Sequence, residues 1–130
     1  MKTNDYIAYK GELFTIEWYF DEQNYSHPLE YLMNLTPKMQ QKVFHLFKRI
    51  AENGKINDKT KFNNEGDKIF AFKPQPYRFL SFFVKDKKII ITNAFIKKTE
   101  KLPKNEKIKA LKNMKEYLER ANTGKYYEKK

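Results

Sequence analysis

The chain has 130 residues, 40% hydrophobic and 16% aromatic, enough apolar material for one folded domain with little room for a second. Lys and Arg number 27 against 16 Asp and Glu, a formal net charge of +11, and there is no cysteine. Disulfides and thiolate metal sites are thereby excluded, no apolar run approaches the roughly 18–20 residues that span a bilayer, and the opening MKTNDYIAYKGELF holds no long apolar signal core, so a reducing cytoplasm is the expected compartment.

ELFTIEWYF, residues 12–20, alternates with the period of a strand. Phe14, Ile16, Trp18 and Phe20 share one strongly apolar face. Ser26 is placed to cap a short helix over residues 27–35. Thr36-Pro37 starts a second, with a cap residue and then proline at the first helical position. Met39, Val43, Leu46, Phe47 and Ile50 recur on one side of that helix, and Asn53-Gly54 stops it. His45 falls on the polar side, as an exposed helix residue. With His27 as the only other histidine, no metal-ligand spacing exists.

Residues 55–66 read as a polar loop. Strand signals resume in DKIFAFK, YRFLSFFV and KIIITNAFI, the last two joined by a Lys85–Lys88 turn and apolar at nearly every position, as central strands are. Pro103 then opens a helix with Ile108, Leu111, Met114 or Lys115, Leu118 and Ala121 on one side. Gly124 ends it, and KYYEKK is expected to be a frayed basic tail. The predicted order is β-α-α-β-β-β-α: a single α+β domain over residues 1–130 with a small antiparallel sheet, its core spanning about 12–120 and its tail 121–130.

The positive charge is clustered. Between Lys97 and Lys115 there are eight lysines and two acids, Glu100 and Glu106. Such clustering favours a polyanionic partner over a charge that only confers solubility. Only three of the basic residues are arginines, Arg49, Arg78 and Arg120, and Arg78 stands inside an aromatic strand on the face of Leu80 and Phe82. A half-buried guanidinium needs a partner. Either Glu17 or Asp67 supplies an ion pair, or the planar fork is held for a phosphate. Lys73 can approach Arg78 across the KPQPY connection. Of Lys97 and Lys98, which alternation sends to opposite faces, one should share the Arg78 face. Tyr77, Phe79 and Phe95 would rim this patch, as rings on which bases stack.

These residues carry a resemblance. The stretch FAFKPQPYRFLSFF followed by AFIKKTEKLPKNEKIKA is similar to the RelE/ParE toxin superfamily, in particular its phage-derived, HigB-like branch. Members of that branch carry F-x-F-K-x-x-x-x-R-x-L/I-x-F and then G/A-F-x-K-K-T/S-x-K-x-P-K-x-E-I-x-x-A, and the likeness extends over roughly residues 12–120. It implies a RelE-like microbial-ribonuclease fold and a type II toxin that cleaves mRNA on the ribosome without metal or cofactor. The 2′-hydroxyl would attack the adjacent phosphate. Carried over by position, Arg78 would grip the scissile phosphate and Lys73 would bind phosphate or act as base. Lys98, or Lys97 if the register differs by one, would stabilise the transition state. Lys97, Lys104, Tyr77 and Phe95 would contact RNA.

The implied partners are mRNA, the ribosome and an acidic antitoxin, for which a helix-turn-helix protein is one form; the toxin itself would be monomeric and would not engage membranes. Some members place a tyrosine or histidine after the last strand. Here none follows Lys98 until Tyr117, although Tyr126 and Tyr127 would serve if the tail folds back. Two other readings stay open: a gyrase-directed, ParE-like inhibitor, and a phage-derived module that binds RNA or an acidic protein without cleaving it.

Overall fold

Alternation and capping build the elements where the side chains call for them. The computed structural model describes residues 6–127; residues 1–5, and 128–130 at the end of the basic tail, lie outside the described residues. The elements are β1 (Ile7–Lys10), β2 (Thr15–Trp18), α1 (His27–Met33), α2 (Pro37–Asn53), β3 (Phe62–Asn64), β4 (Phe70–Phe72), β5 (Tyr77–Val84), β6 (Lys88–Ile96) and α3 (Lys104–Asn122). Ser26 caps α1 by accepting from Leu29 N, and Thr36 caps α2 by accepting from Met39 N. Gly54 ends α2 at φ 85°, where a side chain would be strained.

One sheet of six strands runs in the order β1-β2-β6-β5-β4-β3. Strands that follow one another through short connections pair antiparallel, but β2 and β6 pair parallel. The expected antiparallel sheet is therefore a mixed one. Between β2 and β6 the chain passes through two helices and three strands, so β6 can enter beside β2 in the same direction. Two further strands also lengthen the expected order. β1 forms a hairpin with β2, and Phe62–Asn64, read as polar loop, pairs with β4 as the edge strand β3. Both are short, and their alternation is too brief to register as a period.

α1 and α2 cover one face and α3 the other. Phe47 of α2 meets the rings of Trp18, Phe72 and Phe79, while Tyr117 of α3 meets Phe82. Phe79 thus points to the α2 side, and alternation along β5 turns Arg78, Leu80 and Phe82 to the α3 side. Full burial of each such ring or aliphatic chain contributes about 1.5–3 kcal/mol, which is why β5 and β6 are apolar on both faces.

The apolar side of α3 is rotated from its expected position. Ile108 is 65% exposed and Leu118 39%, whereas Ala110 and Tyr117 are buried, with Met114 and Ala121 packed beside them. The small Ala110 lets the helix approach the sheet closely, and the side chains of Asn93 and Asn113 then tie the two together. Asn93 donates to the Glu106 carbonyl and carboxylate, and Asn113 donates to the Thr92 carbonyl.

The tail is not frayed where it is described, and the core extends beyond 12–120 at both ends. Gly124, at φ 76°, turns the chain back, with the amides of Lys125 and Tyr126 donating to the Arg120 carbonyl. Tyr126 is 2% exposed, accepts a hydrogen bond from Phe20 N at 2.8 Å, and packs against Tyr6, Tyr19 and Tyr117. Tyr127 donates to Glu17 Oε1 at 2.6 Å, beneath Lys88 Nζ. Burial pushes both phenols far above their ordinary range, so they stay protonated. Among the described residues no helix is long and apolar enough to cross a membrane.

Candidate functional site

β4 ends at Phe72 facing α2, so the next residue, Lys73, turns to the α3 side. On the neighbouring strand Arg78 faces the same way, opposite Phe95 of β6. Two residues beyond Phe95, Lys97 returns to that face, its amide donating to the Pro76 carbonyl at 2.9 Å. Lys73, Arg78, Phe95 and Lys97 line one small notch of about 150 Å³, closed by Asn63 and Glu65 on one side and by residues 100–103 on the other.

Arg78 is only 5% exposed. Neither acid expected to pair with it does so. Glu17 is engaged by Lys88 and Tyr127 at the far end of β6, and Asp67 is bound by Lys107 at 2.8 Å. Instead Arg78 Nη1 donates to Gln75 Oε1 at 3.2 Å and to the Tyr77 carbonyl at 2.9 Å. Nη2 and Nε bond to no described residue. Since no buried side-chain nitrogen lacks a partner, these two face the open notch. Burial lowers the guanidinium's pKa and the nearby Glu65 carboxylate raises it, so Arg78 presents a desolvated charge with part of its fork unused.

Glu65 is the functional candidate that sequence reasoning missed. Its Oε2 lies 3.7 Å from Lys73 Nζ, and Lys73 also donates to the Lys59 carbonyl at 3.1 Å. The Lys73 ammonium titrates below the ordinary lysine value of 10.5. Burial is the chief cause, Arg78 and Lys97 add to it, and Glu65 opposes them. The Glu65 turn is built by backbone that favours glycine: Gly66, Asp67 and Lys68 all have positive φ. It is held down from α3, where Lys107 Nζ binds Asp67 and donates to the Glu65 carbonyl at 3.1 Å. The signal available in the sequence was Glu65-Gly66-Asp67, an acid beside a turn residue. Only the β3–β4 pairing aims it at Lys73.

The other predicted positions separate. Lys98 is exposed and does not line the notch, because the strand register gives that place to Lys97. Lys104 begins α3, exposed and also outside the notch lining. Tyr77 lies on the opposite face, edge-on to Tyr31, and Phe79 is wholly buried in the core, so neither ring is available on the notch side. Of the three expected rings only Phe95 remains at the site. Tyr126 and Tyr127 do fold back, but onto Phe20 and Glu17, away from Arg78. Among the described residues no group of three or more His, Asp or Glu is placed to hold a metal ion.

The assembled notch can do two things chemically. Lys73, Arg78 and Lys97, with Lys101 at the rim, surround a space to which an anion would be drawn, and the Glu65 and Glu100 carboxylates that also line it are groups able to take up a proton. Residues 30–115, more than half of the chain, match the family described as Phage derived protein Gp49-like (DUF891). No curated protein matches the chain.

Proposed function

The chain belongs to the Gp49-like family of phage-derived proteins, and from that premise we propose that it is a toxin of the RelE-like kind, a metal-independent endoribonuclease that cleaves mRNA on the ribosome. The observation that carries this reading is the convergence of Lys73, Arg78 and Lys97 on one notch with Glu65 beside them. An inhibitor of a protein target has no special use for a buried arginine whose open nitrogens face solvent.

In this reading the unused Nη2 and Nε of Arg78 take the non-bridging oxygens of the scissile phosphate, with Lys97 opposite. Glu65 accepts the proton of the 2′-hydroxyl as its oxygen attacks phosphorus. The bond to the 5′-oxygen breaks, and the Lys73 ammonium protonates that leaving oxygen. The products are a 2′,3′-cyclic phosphate and a 5′-hydroxyl. Return of the proton from Glu65 to Lys73, a 3.7 Å neighbour, resets the site. Fixed cations around the notch stabilise the extra negative charge of the pentacovalent state. An acidic antitoxin seated over the notch would silence it.

The test is induction of the protein with mapping of cellular mRNA 5′ ends and of their chemistry. Cuts at a fixed position within codons, bearing 5′-hydroxyls and opposite 2′,3′-cyclic ends, are expected. An intact mRNA population during growth arrest would refute the nuclease reading and direct attention to a protein target such as gyrase.

The pH profile of cleavage supplies a further check. Lys73 must be protonated to serve as acid, so activity falls as pH rises through its pKa, below the ordinary lysine value of 10.5. Glu65 holds that ammonium charged, so Glu65→Gln should shift the alkaline limb to lower pH as well as slowing the reaction. Lys97→Met removes a like charge and should shift it upward. Alkaline limbs that coincide in all three proteins would remove Lys73 from the role of acid.

A further inference from the structure

Lys73 lines a second and larger depression as well as the notch. This cleft, of about 540 Å³, lies between the first turns of α2 and the loop leading into β3, with Lys38, Lys42, Lys61, His45, Leu46 and Pro74 among its walls. Its volume falls within the range of small-molecule sites, about 300–1,000 Å³. Four lysines face it, and none of the described residues lining it is acidic. The floor is different in kind: Leu46 and Pro74 are apolar, and His45 offers a flat ring. Lys73 lines both cleft and notch, and Gln75, which closes one side of the cleft, accepts from Arg78 of the notch, so the two are joined at the end of β4.

We propose that this cleft is a nucleotide subsite for single-stranded RNA, holding the nucleotide next to the scissile bond. Its base lies against His45, Leu46 and Pro74, and its phosphates lie against Lys38, Lys42 and Lys61. The proposal rests on the nuclease reading of the notch and extends it by one position along the strand. Lysines on a partly apolar concavity whose described lining residues include no acid match a ligand that is anionic at its backbone and flat and apolar at its base. An acidic peptide would use the lysines and leave the apolar floor without a partner. The cleft also accounts for His45, which is exposed on the polar side of α2 and takes no part in the core.

The experiment is fluorescence anisotropy with a labelled single-stranded octaribonucleotide whose 2′-oxygens are methylated, so that it binds without being cut. Lys42 and Lys61 are both exposed, and Lys42→Gln/Lys61→Gln leaves the core untouched. That double variant is expected to bind on the order of tenfold more weakly at 0.1 M salt. The slope of log K against log salt should become less steep by about 1.4, or about 0.7 for each lysine–phosphate contact removed. His45→Ala should weaken binding without altering the slope, because it removes a stacking surface.

Unchanged affinity and slope in the double variant, with Arg78→Ala still weakening binding, would overturn the subsite while leaving the notch in place. No binding by the wild-type protein would also overturn it, and the mapping of ribosomal cuts would then decide the nuclease reading separately. Binding of poly-glutamate that is lost in the double variant, with RNA affinity intact, would assign the cleft to an acidic protein and reject the proposal.

Discussion

Arg78→Ala is expected to abolish cleavage while leaving a folded protein, with a loss of about 100- to 1,000-fold in rate, the scale found for removing one fixed donor to a transition-state anion. The fold should survive because Arg78 supports little of it. Its two hydrogen bonds go to Gln75 and the Tyr77 carbonyl at the edge of the β4–β5 turn, and no described carboxylate pairs with it. Its charge is held in the sheet at 5% exposure, a desolvation cost that also lowers its pKa, so removing that charge relieves a penalty. Arg78→Lys separates charge from geometry: a single ammonium on a flexible stem should recover a minor part of the rate, because it cannot present two parallel donors. The measurement is cleavage of a defined mRNA on translating ribosomes, with thermal melts of each variant alongside. Full activity in a folded Arg78→Ala protein would remove this residue from the site.

Tyr126→Ala should be the most destabilising single change on the C-terminal side, by about 3–5 kcal/mol, the cost of deleting a large buried ring. Against a total of about 5–15 kcal/mol for a domain of this class, that is a large fraction of the stability. The ring is enclosed by Tyr6, Tyr19 and Tyr117, with the Arg120 guanidinium 4.8 Å from its centre. Tyr126→Phe isolates the hydroxyl. It leaves the amide of Phe20 without its acceptor at 2.8 Å, a loss of about 1–3 kcal/mol. Denaturant titration of the two variants gives both numbers. A midpoint unchanged in Tyr126→Ala would mean that the tail is not docked in solution.

Much of the framework was legible along the chain because it depends on neighbours in sequence. Ser26 and Thr36 bond to amides three residues on, and Gly54 supplies a left-handed turn at its own position. The stripe of Val43, Leu46, Phe47 and Ile50 follows from helical period alone. The face of Arg78 was legible for the same reason, since alternation along β5 needs no knowledge of the partner strand. Two expectations failed, the first for lack of such local determination and the second against it. Lys97 and Lys98 are adjacent lysines after the same strand, and only the pairing of Arg78 with Phe95 decides which of them turns inward. Tyr77 and Phe79 were expected beside Arg78 as a stacking rim, but alternation puts them on the opposite face, against Tyr31 and Phe47.

By itself the sequence determined the α+β class, the caps and faces of α1 and α2, the excess of positive charge, and the presence of a guanidinium within an aromatic strand. Those are properties of composition and short-range period, set by bonds that span a few residues. The tertiary structure alone decided the rest. It paired β2 parallel to β6, rotated α3 onto Ala110 and Tyr117, and drew Tyr126 into the core against Tyr6, 120 residues away in sequence. It also brought Glu65 to Lys73. The physical reason is common to all four: each depends on contacts between distant segments, whose geometry follows from how whole layers pack and not from any local pattern.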